Sequence, residues 1–213
     1  IMIEKITPFP LYIYKIKATH HKEIKDYLMK HVYPKFAQEG PNGGLQKIFT
    51  DYLPGTGAMI HWPYIYDRYK EDLDNVLSEI GFDMTKPWDV RMKGWYNFTT
   101  HNDEEWPHDH MGGASNINYS FVHYVTVEDE NDGTIFLNPN YKLTRAIMPT
   151  KNVNYLPESI FNDRYQIKVE EGDIVLFPSW MDHTAPKHTT DNLRITNAVN
   201  VMMKLKNQDE DGF

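Results

Sequence analysis

The 213-residue chain is expected to form a mainly β fold, a barrel or a double-sheet jelly roll, with its helices gathered near the start. Three observations lead there. Both clear helical periods lie before residue 85. The remainder breaks into short β-branched and aromatic runs separated by Gly, Pro, Asn and Asp. Runs with no helices between them have to pair antiparallel. In order, Leu11 to Lys17 (LYIYKIK) reads as a strand. Ile24, Tyr27, Leu28 and Val32 then share one helical face, and Pro34 is expected to end that helix. Tyr66, Tyr69, Leu73, Val76, Leu77 and Ile80 fit a second 3.6-residue period, stopped by Gly81. Strands are expected at 88–98, 117–127, 133–137, 166–169, 173–177 and 194–204, and 139–165 is either a long functional loop or a stretch whose elements are misassigned. No repeat, low-complexity tract or Gly/Ser linker interrupts the chain. The expectation is therefore one domain over 1–206, with helices in 20–82 and an acidic, solvated tail at 207–213.

Composition narrows the function classes. At 40% hydrophobic and 24% charged, with a mean hydropathy of -0.61, the chain has the balance of a soluble globular protein. No apolar run approaches the roughly 18 residues of a membrane span. The opening Ile1-Met2-Ile3-Glu4-Lys5 does not read as a secretory signal, so a soluble, cytoplasmic protein is expected, away from membranes. Thirty acidic against 22 basic residues give a net charge of -8, which disfavours a nucleic-acid partner. With no cysteine, disulfides, thiolate sites and cysteine nucleophiles are excluded, and any metal must be held by nitrogen and oxygen.

Strand alternation gives the first hint of a site. From residue 117, the odd positions Ile117, Tyr119, Phe121, His123 and Val125 form a core-like face, with His123 a satisfied core histidine. The even positions Asn118, Ser120, Val122, Tyr124 and Thr126 form a more polar one. Arg194, Thr196, Ala198 and Asn200 likewise share a face opposite Ile195, Val199 and Val201. Two strands with a polar face predict a polar-lined cavity.

Three elements could serve it. His108 and His110, two apart on an extended chain, project to one side and could reach one ion, with Asp109 turned away. A histidine-rich surface loop would have the same residues. His183 follows a short apolar strand and could bring a third imidazole, though a histidine after a strand is commonly a loop residue. Arg194, with Thr196 on the same face, could hold a carboxylate bidentately; a surface ion pair is the plainer alternative. The sequence offers no carboxylate on that face, so an anionic ligand fits.

These residues resemble a known family. Pro8-Phe9-Pro10, Trp95-Tyr96-Asn97, His108-Asp109-His110, Phe177-Pro178-Ser179-Trp180-Met181-Asp182-His183 and Arg194-Ile195-Thr196 together look like the Fe(II)- and 2-oxoglutarate-dependent oxygenases, over about residues 5–202. The likeness is closer to a phage and bacterial subgroup with a prolyl-hydroxylase-like fold. It implies a double-stranded β-helix (jelly-roll, cupin-like) core. It also implies a dioxygenase that uses Fe(II), 2-oxoglutarate and O2 to hydroxylate a small-molecule or peptidyl substrate, releasing succinate and CO2. Carried over, His108 and His183 would be iron ligands. Where the family usually has Asp or Glu, two residues after the first histidine, this chain has His110, with Asp109 as the alternative carboxylate. Arg194, Thr196 and Tyr124 would hold the distal carboxylate of 2-oxoglutarate, and Asn118 and Asn200 could contact co-substrate or substrate. Aromatic segments around Tyr64, Tyr66 and Tyr96 could frame an entrance. Two other readings stand beside this one. The first is a cupin-like three-histidine enzyme without 2-oxoglutarate. The second is a metal-free β-sandwich binding module using Trp62, Trp88, Trp95 and Trp180.

Overall fold

Antiparallel pairing organises almost everything outside the helices. The computed structural model describes residues 3–9, 11–40, 48–51, 62–100, 106–111, 117–139 and 162–206. The strands are β1 (Ile3–Phe9), β2 (Leu11–Lys17), β3 (Ile48–Thr50), β4 (Trp88–Thr99), β5 (Ile117–Thr126), β6 (Ile135–Leu137), β7 (Arg164–Gln166), β8 (Asp173–Pro178), β9 (His183–Thr184) and β10 (Arg194–Leu205). The helices are α1 (His21–His31), α2 (Tyr33–Glu39) and α3 (Trp62–Ile80). A seven-stranded sheet runs β1-β2-β8-β5-β10-β4-β3, and a three-stranded sheet runs β7-β6-β9. Strands from both ends of the chain interleave in the larger sheet, as a double-stranded β-helix requires.

Each central strand is buried on both faces. Ile174 and Leu176 of β8, Phe121 and Val125 of β5, and Ile195, Val199 and Val201 of β10 pack with Ile24 and Leu28 of α1 and Leu73, Val76 and Leu77 of α3. Alternation turns the intervening residues the other way. Val175 and Phe177 of β8, Ile13 of β2 and Tyr124 of β5 pack with Phe136 of β6, Ile167 and Met181. The layers are therefore helices, large sheet and small sheet.

Two sequence expectations need correction. Pro34 does not end the helical stretch; it lies in the first turn of α2, where a missing N–H costs nothing because that donor would be unpaired anyway. The strands β1, β3 and β9 were not separately expected, being short or dependent on partners distant in sequence. Gly81 does stop α3: at φ 112 it adopts a conformation that L side chains avoid, and Phe82 N–H closes back on Leu77 O at 3.0 Å. Residues 140–161 of the expected loop and the tail 207–213 lie outside the described residues.

Candidate metal centre

Backbone pairing brings the three histidines together before any side chain acts. His108 and His183 exchange reciprocal N–H···O bonds of 2.9 Å, and His110 N–H donates to Ser179 O at 2.9 Å. The segment 106–111 is thereby fixed against the β8–β9 turn. The ring centroids lie 5.2 Å (His108–His110), 4.5 Å (His108–His183) and 4.9 Å (His110–His183) apart. One ligand atom from each lies within 4.8 Å of the others.

Each Nδ1 has an oxygen to donate to. His108 Nδ1 meets Trp106 O at 2.8 Å and His183 Nδ1 meets Met181 O at 2.8 Å. His110 Nδ1 meets Asn200 Oδ1 and, at 2.8 Å, Ser120 Oγ. A backbone carbonyl accepts and cannot donate, so His108 and His183 carry their proton on Nδ1 and leave Nε2 unprotonated. Burial pushes the His183 pKa down to about 3 and that of His110 to about 4, with the neighbouring imidazoles pushing His183 further in the same direction. At neutral pH these two rings are uncharged, the form that binds a metal. Phe177 and Phe136 lie 4.7 and 6.3 Å from His183, and Trp95 lies 5.8 Å from His110, so the rings are backed by apolar surface. Three converging imidazoles, without thiolate, fit a borderline cation such as Fe(II).

Asp109 takes no part in the cluster. It is exposed, and its Oδ1 accepts the Met111 N–H at 2.9 Å. The alternation expected for the His108–His110 pair holds here.

The site face continues across the large sheet in rows set by strand register. Ser120 lies opposite Asn200 and Phe177; next come Val122, Ala198, Val175 and Trp95; then Tyr124, Thr196 and Asn97. Two residues separate consecutive rows, about 7 Å. A polar row near the histidines, an apolar row and a second polar row follow in order. Arg194 lies one further step along β10. Asn97 Oδ1 is buried on this face and has no hydrogen-bond partner among the described residues.

Arg194 is not without a carboxylate, which the sequence reading did not find. Only 4% exposed, it has Nη1 3.5 Å from Asp132 Oδ1 and 3.3 Å from Pro186 O. Asp132 also lies 3.3 Å from His188 Nδ1, itself 2% exposed. Asp132 stands at the end of a single helical turn after β5, remote in sequence from Arg194. The Nη1 contacts are the hydrogen bonds of Arg194 among the described residues, so Nε and Nη2 retain donors. Tyr124 is fully buried, its hydroxyl 2.7 Å from Thr134 Oγ1 and accepting Thr134 N–H at 2.8 Å. Burial pushes that phenol up to about 12.

From the sequence, Asn118 and Asn200 are expected to contact co-substrate or substrate. Asn118 is exposed and its Oδ1 accepts Met203 N–H at 2.7 Å, which turns it to the backbone beside a register shift in β10. Asn200 reaches the pocket, but its Oδ1 is engaged by His110 and by Ser120 Oγ–H at 2.9 Å. Ser120, Ser179, Asn97, Asp132 and Thr134 have no individual role in the sequence reading, and Trp95 has one only as part of a metal-free binding platform. Alternation had already put Ser120 on the right face; the others needed the strand register. Trp88 packs against Phe82 on the helix side while Trp95 lies beside His110, so these tryptophans form no common binding platform.

A family model described as "Putative 2OG-Fe(II) oxygenase" matches residues 93–200, from within β4 to within β10. The chain belongs to this family of 2-oxoglutarate- and Fe(II)-dependent oxygenases. It is accordingly an oxidoreductase that uses iron and 2-oxoglutarate. No curated protein matches it. Among solved structures, it is similar to a Trichoplax adhaerens prolyl hydroxylase in complex with a hypoxia inducible factor peptide fragment (TM-score 0.57, 12% identity, 89% of this chain and 83% of that one). It is similar to a Pseudomonas putida prolyl-4-hydroxylase (0.54, 12%, 89% and 91%). It is also similar to HygX from Streptomyces hygroscopicus with nickel, 2-oxoglutarate and hygromycin B bound (0.54, 14%, 89% and 82%). At these identities the likeness is one of fold, that of the double-stranded β-helix oxygenases. No helix among the described residues is long and apolar enough to cross a membrane.

Proposed function

We propose that His108, His110 and His183 hold the Fe(II), and that Arg194, Thr196 and Tyr124 hold the distal carboxylate of 2-oxoglutarate. On this reading the enzyme hydroxylates a peptide residue or a small molecule, releasing succinate and CO2. The observation that carries it is the convergence of three imidazoles whose Nδ1 atoms each have an oxygen acceptor. Bound there, the iron would supply O2 activation coupled to oxidative decarboxylation of the keto acid. The protein's own residues bind and orient. The spare N–H groups of Arg194 offer a bidentate grip on a carboxylate, and Asp132 keeps the guanidinium from swinging away. Thr134 can donate both its N–H and its hydroxyl to Tyr124 oxygen, which frees the phenolic O–H to donate to the same carboxylate. The apolar row of Val122, Ala198 and Trp95 suits the methylenes between the two carboxylates. Phe136 and Phe177 limit water behind His183.

The substrate class rests on the neighbours, one in complex with a peptide fragment and another with hygromycin B bound. We further read residues 1–206 as one domain, because β1, β2 and β10 share a sheet. The test is succinate release from 2-oxoglutarate with Fe(II). Arg194→Ala and His110→Ala are expected to lose turnover, and Asp109→Ala to retain it. A fully active His110→Ala alongside a dead Asp109→Ala would overturn the ligand assignment.

A further inference from the structure

His110 differs from its two partners in how it is held. His108 and His183 donate Nδ1–H to backbone carbonyls, acceptors that any sequence would provide. His110 depends on side chains. Its Nδ1 faces Asn200 Oδ1 and Ser120 Oγ; Ser120 donates its proton to Asn200 Oδ1 at 2.9 Å, and Ser179 Oγ lies 3.0 Å from Ser120 Oγ. Ser120 is fully buried and Asn200 nearly so. The amide is therefore a tautomer selector. With Oδ1 toward the ring, Nδ1 carries the proton and Nε2 is free. With Nδ2 toward the ring, Nδ1 would accept, the proton would sit on Nε2, and His110 could not ligate.

We propose that Asn200 is the positioning residue that makes His110 a metal ligand. Its amide oxygen, steadied by Ser120, fixes the imidazole's tautomer and ring orientation from β10. Where a carboxylate would bind the metal directly, this chain uses an imidazole held by a neutral amide. Asn200 touches neither the metal nor the reacting atoms. The inference rests on the three-histidine reading above and adds to it the device on which the third ligand depends.

Metal affinity tests it without turnover. Full-length chain, freed of metal by chelation, is titrated with Co(II), whose visible bands report ligand number and geometry. Asn200→Ala is expected to weaken Co(II) about 10–100-fold, the usual effect of removing a ligand's hydrogen-bond partner. Asn200→Asp retains an acceptor for Nδ1–H, adds a negative charge, and is expected to bind at least as tightly as the wild type. Urea midpoints of the metal-free proteins check that each variant folds. Should Asn200→Ala alone unfold, Asn200→Leu, of similar volume and without an acceptor, takes its place with the same expected loss. An acceptor-less variant within twofold of the wild type, or an Asn200→Asp as weak as it, overturns the proposal. His108→Ala and His183→Ala in the same titration keep the two levels apart. If they bind Co(II) normally, the three-histidine site itself is wrong. If they lose it while the Asn200 variants do not, only the role of Asn200 fails.

Discussion

Tyr69→Phe probes a buried hydrogen-bond network between α3 and the large sheet. Asn197 Nδ2 donates to Tyr69 oxygen at 2.7 Å, and the phenol lies 2.7 Å from His123 Nδ1. We read the phenol as giving its one proton to His123 Nδ1. His123 therefore carries its own proton on Nε2 and donates to His21 Nδ1 at 3.1 Å; His21 in turn donates from Nε2 to Glu171 at 3.2 Å. Burial drives the His123 pKa well below the usual range, so the ring stays neutral in this chain. His123 and Asn197 are both fully buried, and Tyr69 is 1% exposed. Deleting one oxygen leaves a donor and an acceptor unpaired in the core, each costing about 1–3 kcal/mol. A loss near 3 kcal/mol is expected, roughly 6–12 °C in Tm for a chain of this length. Urea denaturation followed by circular dichroism measures it. Tyr69→Phe combined with His123→Leu should lose less than the two single changes together, since removing both partners of a hydrogen bond leaves fewer orphans. A Tyr69→Phe loss below about 1 kcal/mol would refute this reading of the network.

Two other outcomes follow from the same physics. His110, His123 and His183 all have folded-state pKa values below the unfolded value, so the unfolded chain binds more protons as the pH drops below about 6.5. Stability of the metal-free protein should be full above that pH and fall on acidification toward 4, by up to about 1.4 kcal/mol per pH unit per histidine; a flat urea midpoint from pH 7 to 5 would contradict it. Gly133→Ala would bring a Cβ to 2.0 Å from Ile167 O, a backbone atom, whereas Gly81→Ala meets no atom within 4 Å and bears only its positive φ. Calorimetric Tm values should therefore fall further for Gly133→Ala, by at least about 2 kcal/mol equivalent; equal losses would show that the 133–167 contact yields cheaply.

What the sequence revealed divides by range. Alternation and helical period act over a few residues, so β2, α3, β5, β10 and the two faces of the latter pair were legible. The site histidines were legible for the same reason: His108 and His110 are two apart on an extended chain, and His183 follows an obvious apolar strand. Long-range register was not. Nothing local announces that Trp95 and Asn97 lie on the same face as Ala198 and Thr196, or that Asp132 meets Arg194. Asn200 was legible as a pocket residue but not as a partner of His110, because that contact spans 90 positions. Alternation holds only while register does: β5 and β10 slip beside Asn118, whose Oδ1 accepts Met203 N–H.

The register that hid Asp132 also bears on charge. A site of two histidines and one carboxylate places a negative charge on the protein side of the metal; in the proposed three-histidine site that charge is missing, and Asp109 faces away. The chain carries a negative charge at the other end instead, where Asp132 pairs with Arg194, both buried. With a dication and a doubly charged keto acid added, the charges of the metal, the keto acid, the guanidinium and the one carboxylate sum to zero in either arrangement. Neutrality matters among Phe136, Phe177 and Tyr124, because an uncompensated charge there costs several kcal/mol. Asp132→Asn should then leave one excess positive charge and His110→Asp one excess negative charge, while the double variant returns to balance. Calorimetric affinity for 2-oxoglutarate in the Co(II)-loaded proteins measures the coupling. The double variant should lose at least about 1 kcal/mol less than the two single variants combined. Additivity to within about 0.5 kcal/mol would mean the two ends of the pocket do not sense each other's charge, and that the carboxylate at residue 132 serves only to hold Arg194 in place.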